Sequence, residues 1–308
     1  MEPVSKRTTN TDISLRYLEW EGGGSPVVLL HGLTVCAEYW SLTARLLAEE
    51  HRVVSVDLRG HGHSGKPNWG YDYQTISGDL EQLCQEIGIE GALLAGHSWG
   101  AGVALCLAAS NPNIASQLAL VDGGFGGRRR TSDGSPPDYT QMMAPLEVYQ
   151  SRETYLRAAG DGVSDVMSPE IEEILMASVT VNPDGSVSER LSRENNVRIL
   201  RAMGELNTRE IYPALEMPVL FAAALSPSPD RVEANDRKRE SVSAAQAAVE
   251  SATGAQPDNS SPDPDPLFLP RPVELPLRGD SSAASAFPVA VEQRDSCSGV
   301  PLATIRPP

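Results

Sequence analysis

The sequence predicts an α/β protein built on a mostly parallel sheet with helices on both faces. Three observations point to it. Short, wholly apolar runs rich in valine and leucine recur between residues 26 and 121. Helical stretches alternate with them. Only a few residues connect one to the next. Wholly apolar runs suit strands buried on both faces, and strand–helix alternation suits a parallel sheet with crossover helices.

Each element follows in order. Ile13 to Glu21 alternates apolar and polar residues and runs into Gly22-Gly23-Gly24, which predicts an edge strand or hairpin arm and a turn. Pro26 to Leu30 is a buried strand. Tyr39 to Glu49 has helical spacing through Trp40, Leu42, Leu46 and Leu47. Arg52 to Val56 is the next strand. Tyr73 to Ile87 is a helix with Ile76, Leu80, Leu83 and Ile87 on one stripe. Gly91 to Ala95, Trp99 to Ala109 and Gln117 to Val121 continue as strand, helix and strand.

After Gly123 the regularity breaks. Arg128-Arg129-Arg130, Ser135-Pro136-Pro137 and Asn182-Pro183-Asp184-Gly185 are loop or turn material. Helical stretches are expected between them, near Pro145 to Ala158, Pro169 to Ser178 and Glu189 to Leu206. The sheet resumes at Met217 to Leu225, followed by a polar, alanine-rich helix over Val232 to Ser251. Residues 254–308 hold 11 of the chain's 24 prolines and show neither period, so coil or disorder is expected there. The divisions are therefore 1–122 for the first part of the core, 123–206 for a helical insertion, 207–253 for the rest of the core and 254–308 for a low-complexity tail.

The 308 residues carry a formal net charge of −16. That balance disfavours nucleic acid and anionic membranes as partners, because both need a basic face. The start of the chain is polar, without an apolar signal core, and no run of eighteen apolar residues occurs. A soluble, cytoplasmic protein is expected. The four cysteines, Cys36, Cys84, Cys106 and Cys297, form no CxxC pair, so no disulfide framework is expected.

The sharpest chemical signal is Gly96-His97-Ser98-Trp99-Gly100, between a strand and a helix. This is the G-x-S-x-G elbow, a turn so tight that glycine is needed two residues either side of the serine. It projects the Ser98 hydroxyl above the sheet's carboxyl edge as a nucleophile. It also points the Trp99 N–H at the same spot, where a helix start favours negative charge. His31-Gly32-Leu33 follows another strand, and its Leu33 N–H is the second candidate oxyanion donor. His31 itself is expected to anchor the loop rather than act as a base. In Asp57-Leu58-Arg59-Gly60-His61-Gly62-His63-Ser64, Asp57 and Arg59 are expected to tie a glycine-rich turn. A metal held by His61 and His63 lacks a clear third ligand, so no metal is expected.

Together these three motifs, in this order, resemble the α/β-hydrolase superfamily and its small-molecule esterases in particular. The resemblance covers roughly Ile13 to Ser251. It implies an eight-stranded, mostly parallel sheet with residues 123–206 as a helical cap over the nucleophile, and no cofactor. Serine at the elbow, rather than aspartate, argues against haloalkane dehalogenases and most epoxide hydrolases of this fold. It favours ester, lactone, thioester or carbon–carbon bond hydrolysis of a small-molecule substrate.

The pattern fails at the base. A serine hydroxyl needs a base to take its proton, and in this superfamily the order is Ser, then Asp or Glu, then His. The chain has five histidines, His31, His51, His61, His63 and His97, and none follows Ser98. Two acids are candidates: Asp122, at a strand's carboxyl end, and Asp230, after Met217 to Leu225. Either also fits a turn-capping role. The missing histidine coincides with the change of composition, which is read as a shift of coding frame near residues 250–256. A disordered extension on a divergent protein is the alternative. Loss of the closing strand and helix would expose a sheet edge and lower stability. Two functions follow: a serine hydrolase of small acyl substrates impaired by loss of its histidine, or a catalytically dead, ligand-binding protein on the same fold.

Overall fold

A computed structural model of the chain describes residues 2–9, 11–127, 131–143, 146–160, 167–225, 231–253 and 273–276. The first strands are β1 (Val4–Arg7), β2 (Arg16–Trp20), β3 (Val27–Leu30), β4 (Val53–Val56), β5 (Ala92–His97) and β6 (Ala115–Val121). Further on come β9 (Val219–Leu225) and β10 (Val273–Pro276). These eight form one sheet in the order β1-β2-β4-β3-β5-β6-β9-β10. β1 and β2 pair antiparallel, as do β2 and β4; every other pairing is parallel. The expected mostly parallel sheet is therefore present.

Alternation along the strands sends side chains to two apolar layers. Val28, Leu30, Val54, Val56, Leu94, Leu118 and Leu120 join helices α2 (Tyr73–Ile87) and α3 (Trp99–Ser110) in one cluster. Val27, Leu29, Val53, Ala95 and Ala119 face a second cluster. There Tyr39 and Trp40 of a short 3-10 turn meet Ala44 of helix α1 (Ser41–Leu47). Helices thus cover both faces. α3 runs down the middle, buried from Trp99 to Leu105, as its all-round apolar sequence requires. Helix α7 (Val232–Thr253) adds Val242 and Ala245 to the first cluster.

Between β6 and β9 lies the insertion. Helices α4 (Arg152–Ala159), α5 (Pro169–Met176) and α6 (Arg193–Glu205) form there, each started by a serine cap, at Ser151, Ser168 and Ser192. The insertion is not wholly helical. Strands β7 (Val179–Val181) and β8 (Val187–Glu189) form a hairpin around Asn182–Gly185. The insertion is tied to the core: Asn195 Nδ2 donates to Tyr71 Oη at 2.7 Å, and Tyr212 Oη donates to Gly124 O at 2.5 Å.

Two corrections concern the ends of the sheet. β2 is an inner strand, because Val4–Arg7, read as part of a plain polar start, pairs with it from Val4↔Glu19 to Arg7↔Arg16. In the stretch expected as coil, residues 273–276 form a strand against β9, from Val273↔Ala222 to Pro276↔Leu225. A β9 edge offers a row of N–H and C=O groups that any short extended segment can pair with. Neither pairing leaves a local period to read. Among the described residues, no helix is long and apolar enough to cross a membrane.

Candidate functional site

The carboxyl ends of β3, β5, β6 and β9 share one edge of the sheet, the usual place for a site in an α/β protein. Ser98 sits there, between β5 and α3, with φ 52° and ψ −114°. That region costs about 1–3 kcal/mol for a residue with a side chain. Packing on both sides explains why it persists. A methyl on Gly96 would lie 2.2 Å from Gly100 O, and one on Gly100 would lie 2.4 Å from His31 O. The Ser98 N–H donates to Val121 O at 2.8 Å, and Ser98 O accepts the Ala101 N–H at 3.1 Å. Ser98 is half-buried.

Trp99 opens α3, so its N–H has no acceptor within the helix. The His31-Gly32-Leu33 loop crosses above it. A methyl on Gly32 would lie 3.5 Å from Ser98 Cβ and 3.0 Å from His97 Nδ1. Leu33 is half-buried against the first core cluster. Thr34, at φ 66°, turns the chain away.

The histidines near this edge are occupied. His31 is fully buried; its Nδ1–H donates to Gly32 O at 2.7 Å and its Nε2 accepts the Leu58 N–H at 3.1 Å. His61 is buried likewise. Its Nδ1–H donates to Arg59 O at 3.0 Å and its Nε2 accepts the Thr34 N–H at 3.3 Å. Burial pushes both rings below the usual imidazole value, so they stay neutral. Each has spent its lone pair on a main-chain N–H, which leaves none for a metal or a serine proton. Both act as loop anchors. His63 is exposed. His51 lies before β4, at the opposite edge. His97 stacks on Tyr39 at 4.9 Å and is driven to about 4, by burial above all. Its Nδ1 and Tyr39 Oη have no partner among the described residues.

Asp57 accepts from the N–H groups of Ala37 and His63, both at 2.8 Å, and from Arg16 at 3.3 Å. A methyl on Gly62 would lie 2.2 Å from this carboxylate, which is why a glycine stands there. Arg59 does not join Asp57. It forms a two-pronged pair with Asp79 of α2, both bonds 2.7 Å, and lies over Trp69. One cluster, Cys36, Glu38 and Asp57, has metal-ligand atoms within 4.8 Å of one another. It does not fit a metal: Arg16 already binds Glu38 at 2.8 and 2.9 Å as its cation, and burial pushes the Cys36 thiol well up. Cys36, Cys84 and Cys106 are free thiols.

Asp122 follows β6 beside Ser98, at φ 48°. A methyl on the next residue, Gly123, would lie 2.2 Å from Ser98 O. The carboxylate faces β9. Its Oδ1 accepts the Ala224 N–H at 3.1 Å and the Lys238 ammonium, from α7, at 2.7 Å. Asp230, the other candidate acid, lies outside the described residues. Lys238 escaped the sequence reading because nothing in a polar, alanine-rich helix marks which lysine turns inward. No base joins Ser98 among the described residues.

A family model described as alpha/beta hydrolase fold matches residues 25–161. The soluble epoxide hydrolase of Corynebacterium sp. (strain C12) is 37% identical over 101 residues, 33% of this chain and 35% of that protein. The non-heme chloroperoxidase of Streptomyces lividans is 34% identical over 117 residues, 37% of this chain and 42% of that one. The chain thus spans well under half the length of these two relatives. A solved structure, that of E-2-(acetamidomethylene)succinate hydrolase, superposes with a TM-score of 0.60 at 21% identity. It covers 77% of this chain and 88% of that one.

Proposed function

We propose that the chain, whose residues 25–161 match a family model described as alpha/beta hydrolase fold, is a serine hydrolase of small acyl substrates. Ser98 attacks the acyl carbon. The N–H groups of Trp99 and Leu33 hold the oxyanion, where loss of one such donor typically costs about 10²–10³ in rate. Asp122 is the acid. Residues 123–206 form the cap over the substrate. No metal or organic cofactor takes part.

The observation that carries this reading is the Ser98 backbone, at φ 52° and ψ −114°, gripped by two glycines that tolerate no methyl. A merely structural turn has no need of that strain. Serine at the elbow also favours an acyl substrate over the chemistry named for the epoxide hydrolase relative. With no histidine after Ser98, low turnover is expected. In a serine protease, losing a triad member costs up to about 10⁶, while binding and the oxyanion hole leave about 10³–10⁴ over water.

A second reading has its own observation: the Asp122 carboxylate is engaged by Lys238 rather than by an imidazole. On that reading the chain is a non-catalytic ligand-binding protein. A fluorophosphonate probe separates the two. Labelling of Ser98 that disappears in Ser98→Ala supports the hydrolase. Absence of labelling in folded protein supports the binder.

A further inference from the structure

The acid beside the nucleophile is held by a lysine. Lys238 Nζ donates to Asp122 Oδ1 and to Ala224 O, each at 2.7 Å, while the same Asp122 oxygen accepts the Ala224 N–H at 3.1 Å. β6 and β9 are neighbours in the sheet, so one ammonium joins α7 to both strand ends. An imidazole oriented by Asp122 would have to donate to that carboxylate in the same way. A protonated amine has three donors and no acceptor, so Lys238 can hold the acid but cannot take a proton from Ser98. The pair lies beside Ser98: its N–H donates to O of Val121, the residue before Asp122, at 2.8 Å, and a methyl on Gly123, the residue after it, would lie 2.2 Å from Ser98 O. It is also within reach of solvent, since the Lys238 side chain is 32% exposed.

We propose that Lys238 is a positioning residue filling the imidazole seat on Asp122, and that removing its ammonium opens this seat to an imidazole-class base from solution. The proposal rests on Ser98 being the nucleophile. In the opened site the imidazole donates its N–H to Asp122, and its other nitrogen takes the Ser98 hydroxyl proton. With a fluorophosphonate, the Ser98 oxygen forms the O–P bond as the P–F bond breaks. Fluoride leaves, and the imidazolium returns its proton to water.

The test measures fluorophosphonate labelling of the full chain with and without added imidazole. Lys238→Met, which keeps most of the side-chain length, should gain about tenfold or more from imidazole, since a positioned general base contributes about 10²–10⁴. Lys238→Gln gives a second opened variant. The parent chain and Lys238→Arg should stay flat, and adding Asp122→Asn to Lys238→Met should abolish the gain. A second readout needs no reactive serine: the 15N shift of the Ala224 amide, which donates to Asp122, should move saturably with imidazole in Lys238→Met and not in the parent. Equal responses of the parent and the opened variants would overturn the proposal. An amide response confined to the opened variants, without any labelling, would uphold the seat and overturn Ser98 as nucleophile.

Discussion

Gly100→Ala puts the packing of the elbow to a direct test. A methyl at Gly100 would lie 2.4 Å from His31 O and 2.5 Å from Leu30 O, whereas ordinary contact begins at 3.4 Å. The shortfall against His31 O is 3.4 − 2.4 = 1.0 Å. Both oxygens are main-chain atoms at the end of β3, an inner strand buried along its length. Neither can swing aside, so α3 and β3 must part. Overpacking of this kind typically costs about 1–3 kcal/mol, and backbone on both sides puts Gly100→Ala at about 3. Gly78→Ala is the control. Gly78 lies inside α2 with nothing within 4 Å of the added methyl, so removing a helical glycine should stabilise by about 0.5–1 kcal/mol. Urea unfolding followed by far-UV circular dichroism reads both, as a shift in midpoint at unchanged slope. A Gly100→Ala midpoint equal to the parent's would refute tight packing around the Ser98 turn.

Two further outcomes are expected. His97 is held at about 4 against an ordinary 6.5, by burial first, with Asp122 opposing the effect and Lys238 adding to it. Between those values the unfolded chain binds more protons, so this contribution is full above pH 6.5 and is lost as pH falls toward 4. At about 1.4 kcal/mol per pH unit over about 2.5 units it amounts to about 3.5 kcal/mol. His97→Phe, which keeps a ring on Tyr39, should flatten stability against pH over that window, leaving the slope from His31 and His61. An unaltered slope would mean that His97 is charged in the folded chain. Asp79→Ala should cost about 3–5 kcal/mol in urea unfolding, because it strands a buried guanidinium. Arg59 is only 1% exposed and its side chain meets Asp79 through two bonds of 2.7 Å. A cost below 1 kcal/mol would show that water reaches Arg59 once the carboxylate is gone.

Features written in local chemistry were readable from the sequence. α2 runs from Tyr73 to Ile87 as its spacing predicts. Its ends are marked by Asp72, which accepts the Thr75 N–H at 2.8 Å, and by Gly88, left-handed at φ 66°. The elbow was readable because glycines at 96 and 100 are a steric requirement. Features set by distant partners were not. Val4–Arg7 becomes a strand only because Arg16–Trp20 lies beside it. The hairpin of the insertion, with three residues per strand, left only its Asn182–Gly185 turn in the sequence. The partner of Arg59 stands 20 residues away on α2, and Lys238 meets Asp122 from 116 residues along the chain. Nothing in either neighbourhood announces the meeting.

A crystal structure of the fluorophosphonate-treated chain tests most directly the proposal that Ser98 is a nucleophile facing two main-chain donors. Phosphorus bonded to Ser98 Oγ, with its free oxygen accepting the N–H groups of Trp99 and Leu33, is the expected result. An adduct on any other residue, or one on Ser98 whose oxygen points away from both donors, would contradict the account.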